Sequence, residues 1–264
     1  LASQQPSDEV LCPTVIRYGE SPEEQSRLAL PCGGHLDILL EKITPAEKDH
    51  FALIEQTLDS RSWISREVDL TTGDIKTLTH SPTALANAET PPLTNGHDIH
   101  RSEHSIIHAL KPHDKLLLVG AGEVARCLAE IATQLDFEIT LCDFRDEFLQ
   151  GWQVDGVNVI KAMPDELIDS DFNDKHCAIV ALAHDPRVDD MAMMQALKTE
   201  AFYVGAMGSM ITSSKRRQRL TELELSRDQI DKLHAPIGLN IHSRTPYEIA
   251  ISIAAQLIQQ RSMR

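Results

Sequence analysis

From residue 113 onward, short apolar runs alternate with stretches in which apolar residues recur at helical spacing. The first run, residues 115–119, is typical of a buried parallel strand, and apolar positions from Val124 to Leu135 predict the helix that follows it. Further strands are expected at residues 138–142, 157–160, 177–182, 202–204 and 237–241. This alternation predicts an α/β domain over 113–264, built on a doubly wound parallel sheet with strand order 3-2-1-4-5-6.

Polar residues at predicted helix ends support the same assignment. A helix is expected over about residues 187–199, after the fourth strand. The last helix should begin at Pro246, because Thr245 is a favourable N-cap and Glu248 completes a capping box. Local chemistry therefore predicts where this helix starts, independently of the apolar pattern.

Residues 1–80 have a different pattern, in which strand and helix periods follow one another within a shorter stretch. Strands are expected at 14–17 and 36–41, an amphipathic helix at 46–58, and a hairpin from 62–70 and 74–79. These elements predict a smaller α+β domain. Residues 81–112 contain four prolines and no steady period, so we expect a linker with one short helix.

The predicted linker is rich in histidine, and three of these side chains would align on one face of a helix. They are His100, His104 and His108, at i, i+4 and i+8, and the i, i+4 spacing is common among zinc ligands. No cysteine or clustered carboxylate completes such a site in the sequence. A solvated linker is therefore the favoured alternative to a metal site.

Acidic residues outnumber basic ones in both halves of the 264-residue chain. The 40 Asp and Glu against 25 Lys and Arg give a net charge of −15, which disfavours binding to nucleic acid. No apolar run approaches the ~20 residues of a membrane span, and no secretory leader is visible, so a cytoplasmic protein is expected. The basic cluster at 215–219 is expected to be either a solvated helix face or an anion-binding rim.

The five cysteines favour a reduced protein, because their number is odd and no two have the C-x-x-C spacing. Three of them lie in apolar patterns typical of buried thiols: Cys127, Cys142 and Cys177. Cys32 is different, because Gly33 and Gly34 follow it and leave the thiol little cover. We therefore expect Cys32 to be a functional thiol.

A glycine-rich turn joins the first strand of the α/β domain to its first helix. The turn has the form G-x-G-x-x-A, in which Gly120 permits the tight turn and Gly122 lets the backbone approach a pyrophosphate at the helix N-terminus. Asp143 lies at the end of the second strand, where an acidic residue usually accepts from a ribose hydroxyl. Arg145 is expected either to hold a phosphate or to pair with Asp143. The domain is thus Rossmann-like, and a scaffold that binds no nucleotide is the alternative.

Two further places at the same sheet edge are candidate ligand contacts. A second anion-binding turn is predicted after the fifth strand, with Gly205, Gly208 and Ser209 as its members. His184 ends the fourth strand, which neighbours the first strand at the topological switch point of this fold. We therefore expect His184 and the Gly120 turn to flank one crevice.

Several of these segments occur in an order found in one known family. They are Leu30–Gly34, residues 120–125, Asp143–Arg145, Tyr203–Ser209, His234–Leu239 and Arg244–Pro246. Over nearly the whole chain the sequence resembles the XdhC/CoxI family, the accessory proteins of xanthine dehydrogenase and related molybdenum hydroxylases. Family members usually have a Ser-Gly-Gly-Cys segment before the C-G-G motif, and this sequence has none. The smaller domain is therefore expected to be incomplete or to differ in that half of the site.

The resemblance implies a cytoplasmic homodimeric accessory factor rather than a classical enzyme. Such a protein binds molybdenum cofactor, as molybdopterin or its nucleotide form, assists its sulfuration with a cysteine desulfurase, and delivers it to the apo-hydroxylase. By position, Cys32 matches the motif cysteine and would handle sulfur or ligate molybdenum. The turns at Gly120 and Gly205 match phosphate-binding loops. His184 matches the histidine that closes the fourth strand, so Cys32 and His184 are the candidate catalytic residues.

Two other function classes share the predicted fold. An NAD(P)-dependent oxidoreductase would need an acid or base beside the substrate, and His184 is the candidate for that role. A nucleotide-sensing module would bind its ligand whether or not Cys32 is present. Binding and turnover of NADH or NADPH would distinguish these classes from a cofactor chaperone.

Overall fold

The computed structural model describes residues 12–29, 34–79 and 98–263 of the chain, which divides into two compact units, 1–112 and 113–264. The strands of the first unit are β1 (Thr14–Tyr18), β2 (Leu36–Leu40), β3 (Ile64–Asp69), β4 (Ile75–Thr79), β5 (Ile99–Arg101) and β6 (Ser105–Leu110). Its helices are α1 (Pro22–Arg27) and α2 (Lys48–Asp59). In the described part of the chain, no helix is long and apolar enough to cross a membrane.

The described residues of the first unit form two antiparallel sheets. β1 pairs with β2, and a four-stranded sheet has the order β4-β3-β6-β5. β3 and β4 form the predicted hairpin, and Ile64 and Val68 of β3 are buried, as is Ile54 of α2. The prediction of a smaller α+β domain ahead of the parallel sheet is confirmed.

Residues 98–112 carry strands β5 and β6, where the sequence pattern predicted a linker with a short helix. Ile99 lies opposite His108, and His100 lies opposite Ile107. The histidines are therefore distributed over two paired strands and the turn between them, because hydrogen bonding to β3 favours the extended backbone here. Among the described residues, no group of three His, Cys, Asp or Glu side chains could hold a metal ion. Residues 81–97 lie outside the described part of the chain.

The second unit is a parallel sheet covered by helices. Its strands are β7 (Asp114–Val119), β8 (Phe137–Cys142), β9 (Val157–Ile160), β10 (Cys177–Ala181), β11 (Tyr203–Ala206) and β12 (Leu233–His234). Its helices are α3 (Glu123–Ala132), α4 (Asp146–Leu149), α5 (Pro164–Asp171), α6 (Pro186–Ala196), α7 (Met210–Glu222), α8 (Arg227–Asp231) and α9 (Pro246–Arg261). The strand order β9-β8-β7-β10-β11-β12 confirms the predicted order 3-2-1-4-5-6.

The sixth strand lies earlier in the chain than the sequence pattern predicted. It is the short β12, whereas residues 237–241 were expected to form it. Ile237 and Gly238 instead pack between β11 and α9, and a Cβ at Gly238 would lie 2.0 Å from the Ser252 hydroxyl oxygen. Because the chain must pass this close to α9, the apolar residues after β12 pack as an irregular loop.

The parallel sheet separates two apolar cores. Leu116 and Leu118 of β7 pack with α3 and α9, whereas Leu117 and Val119 pack with α5, α6 and α7 on the opposite face. All four side chains are fully buried, and burial of each stabilises the fold by about 2 kcal/mol relative to exposure. This two-sided burial explains why β7 is a continuous apolar run. The predicted capping box at the start of α9 is present.

Candidate functional site

A crevice of about 550 Å³ opens at the C-terminal edge of the parallel sheet, where β7 and β10 lie side by side. This is the topological switch point, the usual ligand position in such sheets. The crevice is lined after β7 by Gly122, after β8 by Arg145 and Phe148, and after β10 by Leu182, Ala183, His184, Asp185 and Pro186. The structure therefore brings together three of the residues predicted to bind ligand: Gly122, Arg145 and His184.

The two glycines of the first turn have different roles. Gly120 has φ 104°, and a Cβ there would lie 2.4 Å from the Cα of Ala183, so only glycine allows the turn to pack against the end of β10. At Gly122 a Cβ would lie 3.8 Å from the carbonyl oxygen of Leu182, which is an ordinary contact distance, so a side chain could be accommodated there. Gly122 is the N-cap of α3 and has no side chain with which to cap it. The first-turn N–H groups can therefore donate to an anion in the crevice.

The carboxylate of Asp143 is buried and holds the turn and Arg145 together. Oδ2 accepts from the Ala121 N–H at 3.0 Å and from Nη2 of Arg145 at 2.8 Å. Oδ1 accepts from the backbone N–H and from Nε of Arg145, at 3.1 and 2.9 Å. Burial opposes ionisation, but the hydrogen bonds from Arg145 and Ala121 outweigh it and keep the pKa of Asp143 below its ordinary value. Of the two roles expected for Arg145, the pairing with Asp143 is present.

Two phenylalanines beside Arg145 were missed by the sequence analysis. The guanidinium carbon of Arg145 lies 3.9 Å from the centroid of the Phe148 ring and 5.9 Å from that of Phe144. Both rings are exposed to solvent. Their position directly after the second strand could have identified them, because the segment that follows this strand lies at the ligand-binding edge of the sheet.

The turn after β10 has a strained backbone. His184 has φ 56°, in the left-handed region that favours glycine. Asp189 of α6 anchors this turn, since its Oδ1 accepts from the Ala183 N–H at 3.0 Å. Asp185 caps α6 and pairs with Arg187, and this pairing lowers the pKa of Asp185 to about 2. The turn therefore presents the His184 side chain on a backbone fixed from both sides.

The basic cluster at 215–219 contains a buried arginine, which fits neither of the predicted alternatives. Arg216 is 1% exposed and donates from Nε to Asp190 and from Nη2 to Asp189, at 2.9 and 3.0 Å. Its Nη1 donates to the carbonyl of Met207 at 3.0 Å. Asp189 is the residue that also holds Ala183, so this ion-pair cluster supports the turn after β10 rather than an external anion.

The second predicted anion-binding turn is shorter than expected. Gly205 lies within β11, where a Cβ would come 2.7 Å from Cδ1 of Ile237, so packing explains this glycine. Gly208 and Ser209 follow the strand, and the Ser209 hydroxyl accepts from the Thr212 N–H as the N-cap of α7. None of the three is among the described residues that line the crevice. Their assignment to a phosphate loop stays a prediction.

The predicted functional thiol, Cys32, lies outside the described residues. Among the cysteines that the structure does describe, Cys12 is exposed and the other three are buried, as the apolar patterns predicted: Cys127, Cys142 and Cys177. Burial raises the pKa of Cys142 to about 11, which makes its thiol a poor nucleophile. The role of Cys32 in sulfur handling or metal ligation stays a prediction.

Comparison with known families assigns the second unit. A family model described as the XdhC Rossmann domain matches residues 116–257, which include the glycine turn, the crevice and most of α9. The chain belongs to this family. The XdhC match covers more than half of the chain and confirms the resemblance drawn from the sequence motifs.

Relatives extend the similarity to nearly the whole chain. It is 24% identical to the molybdenum cofactor insertion chaperone PaoD of Escherichia coli over 246 residues, which are 93% of this chain and 65% of PaoD. It is 23% identical to a protein of Bacillus subtilis described as a probable xanthine dehydrogenase subunit, with 95% and 77% of the two chains covered. The chain thus spans just under two thirds of the length of PaoD. A solved structure of a xanthine dehydrogenase from Bacillus halodurans has the same fold, with a TM-score of 0.67 at 22% identity over 96% of this chain and 76% of that one.

Proposed function

We propose that this XdhC-family protein binds molybdenum cofactor and supports its sulfuration and its insertion into a xanthine dehydrogenase-type molybdenum hydroxylase. The observation that carries the proposal is the similarity to PaoD over 93% of the chain, since that relative is named as a cofactor insertion chaperone. The name of the Bacillus subtilis relative supports a hydroxylase as the partner. An apo-hydroxylase, a cysteine desulfurase and a second copy of this chain are the partners that the proposal requires.

The chemistry of the crevice supports binding of the phosphate end of such a cofactor. Molybdopterin ends in a phosphate, and its nucleotide form contains a pyrophosphate. Gly122 places no side chain at the N-terminus of α3, so the backbone N–H groups there can donate to this group. Arg145 adds a cation to the same crevice, and His184 lies on the turn after β10 that also lines it. These residues would bind and orient the ligand by its anionic end.

We assign the sulfur chemistry to Cys32. When bound, the cofactor supplies molybdenum with its sulfur ligands, and a thiolate is a soft ligand that suits such a metal. Cys32 would therefore either ligate the metal or carry sulfur as a thiolate. This role is separate from binding of the phosphate end, so a variant of Cys32 and a variant of the crevice should fail in different assays.

Replacement of Cys32 by Ala tests this part of the proposal. We expect Cys32→Ala to fold normally but to lose support of hydroxylase activation, because no thiol remains at the motif position. The assay is turnover by the hydroxylase after incubation of its apo-form with this protein, released molybdenum cofactor, a cysteine desulfurase and cysteine. Cys12→Ala is the matched control, since Cys12 is an exposed thiol outside the motif, and it should activate fully. Full activation by Cys32→Ala would exclude the thiol from the function.

A further inference from the structure

The end of β8 differs from the usual nucleotide site in how its acidic residue is used. In dinucleotide-binding Rossmann domains, this residue accepts hydrogen bonds from a ribose diol of the ligand. A carboxylate has about four lone-pair positions, and all four of those on Asp143 are engaged by Ala121 and Arg145. The side chain of Asp143 is also fully buried. Asp143 therefore has no acceptor position left for a ribose hydroxyl.

Arg145 takes the position facing the ligand. It lines the crevice, and its side chain is 15% exposed. Its Nε and Nη2 are bound to Asp143, whereas Nη1 donates to no acceptor among the residues that the structure describes. Stacking on Phe148 and the double hydrogen bond to Asp143 hold the guanidinium plane in one orientation. A ligand at the end of β8 would therefore meet the guanidinium of Arg145, which is held in one orientation and can still donate from Nη1.

The guanidinium of Arg145 favours different ligand groups from those that a carboxylate at this position would bind. A guanidinium has donors only, so it binds phosphate oxygens well but cannot accept a hydrogen bond from a ribose hydroxyl, as a carboxylate can. Hydrogen bonds to a charged partner are also about twice as strong as neutral ones. The neighbouring carboxylate in the crevice, Asp185, is already paired with Arg187, so its repulsion of an anion is reduced.

We infer that Arg145 is a specificity-determining residue, which makes the crevice select ligands carrying a phosphate group at the end of β8 over ligands carrying a free ribose diol there. The inference rests on the proposed function only in placing a ligand in this crevice. It implies a ligand with two anionic contacts, one at the N-terminus of α3 and one at Arg145.

NADP⁺ and NAD⁺ are suitable probes, because they differ only by a phosphate on the ribose that would lie at the end of β8. We expect calorimetric titration of the full chain at low salt to show NADP⁺ binding about 10- to 100-fold more tightly than NAD⁺. In Arg145→Gln, the ratio of the two affinities should fall to about one or below, because the cation is lost and Asp143 regains acceptor positions. The ratio is internal to each protein, so a general loss of folded protein does not change it.

Arg187→Gln is the matched control. Arg187 makes the same bonds to Asp185 that Arg145 makes to Asp143, but its side chain is 91% exposed to solvent. This variant should still bind NADP⁺ more tightly than NAD⁺, by a smaller factor than the wild-type protein because Asp185 in the crevice loses its partner, whereas Arg145→Gln should lose the preference altogether. Equal affinity of the wild-type protein for the two nucleotides, a preference that survives in Arg145→Gln, or no binding of NADP⁺ at about 1 mM would each overturn the inference. None of these results bears on whether the protein carries a pterin, which is measured separately.

Discussion

The ends of β8 and β10 carry the same Asp-x-Arg pattern and the same local hydrogen bonds, yet they have different roles. At Asp143–Arg145 and at Asp185–Arg187, the arginine donates from its backbone N–H, Nε and Nη2 to the carboxylate two residues before it. At β8 the carboxylate is fully buried and also holds the glycine turn through Ala121. At β10 the arginine is exposed, and the carboxylate caps α6. The short motif therefore determines the pairing, and the surrounding fold determines what the pairing supports.

The largest expected difference between the two turns is the loss of unfolding free energy when Asp143 or Asp185 is replaced by Ala. Asp143→Ala would leave the Ala121 N–H and the partly buried Arg145 without their partner, so we expect a loss of about 3 kcal/mol in the free energy of unfolding. Asp185→Ala would remove an exposed ion pair and the cap of α6, and its loss should be clearly smaller. Urea unfolding of the two variants measures the difference. Similar losses would show that burial does not distinguish the two pairs.

The ion pair of Asp185 and Arg187 should make a smaller contribution to stability, and this contribution should depend on pH. Arg187 lowers the pKa of Asp185 to about 2 from an ordinary value of 3.8. Because the folded-state pKa is depressed, the pair stabilises the fold above the ordinary value, and this contribution is lost as the pH falls through about 2. We expect Arg187→Gln to raise the pKa of Asp185 toward 3.8 while leaving that of Asp143 unchanged. Carboxyl chemical shifts followed by NMR measure both groups, and an unchanged Asp185 would contradict the assignment.

Local sequence rules predicted much of the second unit. The apolar run of β7, the capping box at Thr245 and Glu248, and the strand order all follow from periodicity, helix capping and the handedness of strand connections. The same rules placed Gly122 and His184 at one crevice, because the carboxyl ends of neighbouring parallel strands meet at one edge. These features depend on contacts that short segments or adjacent strands specify by themselves.

Features set by distant contacts were not predicted. Arg216 looked like part of a charged surface, but it is buried because two aspartates of α6 reach it across the fold. The hydrogen bond from the Ala121 N–H to Asp143 was not predicted, because only the folded turn brings these two residues together. The histidines at 100–108 have helical spacing, but this segment forms strands because β6 pairs with β3. In each case the partner lies far away in sequence or its geometry depends on tertiary packing.

The N-terminus of α3 at Gly122 is the proposed position of the phosphate end of a pterin, and the rest of the proposed function depends on it. Gly122→Asp tests this position directly, because the Cβ has room and aspartate is a good N-cap residue. The variant should therefore fold at least as well as the wild-type protein. Its carboxylate would, however, enter the crevice, accept from the helix N–H groups and repel a phosphate.

The decisive measurement is the amount of pterin released from each purified protein after expression in a host that makes molybdopterin, determined by fluorescence after oxidation. We predict bound pterin in the wild-type protein and at least about tenfold less in Gly122→Asp, with no loss of unfolding free energy. Equal pterin in the two proteins, or none in the wild type, would contradict the proposed binding site.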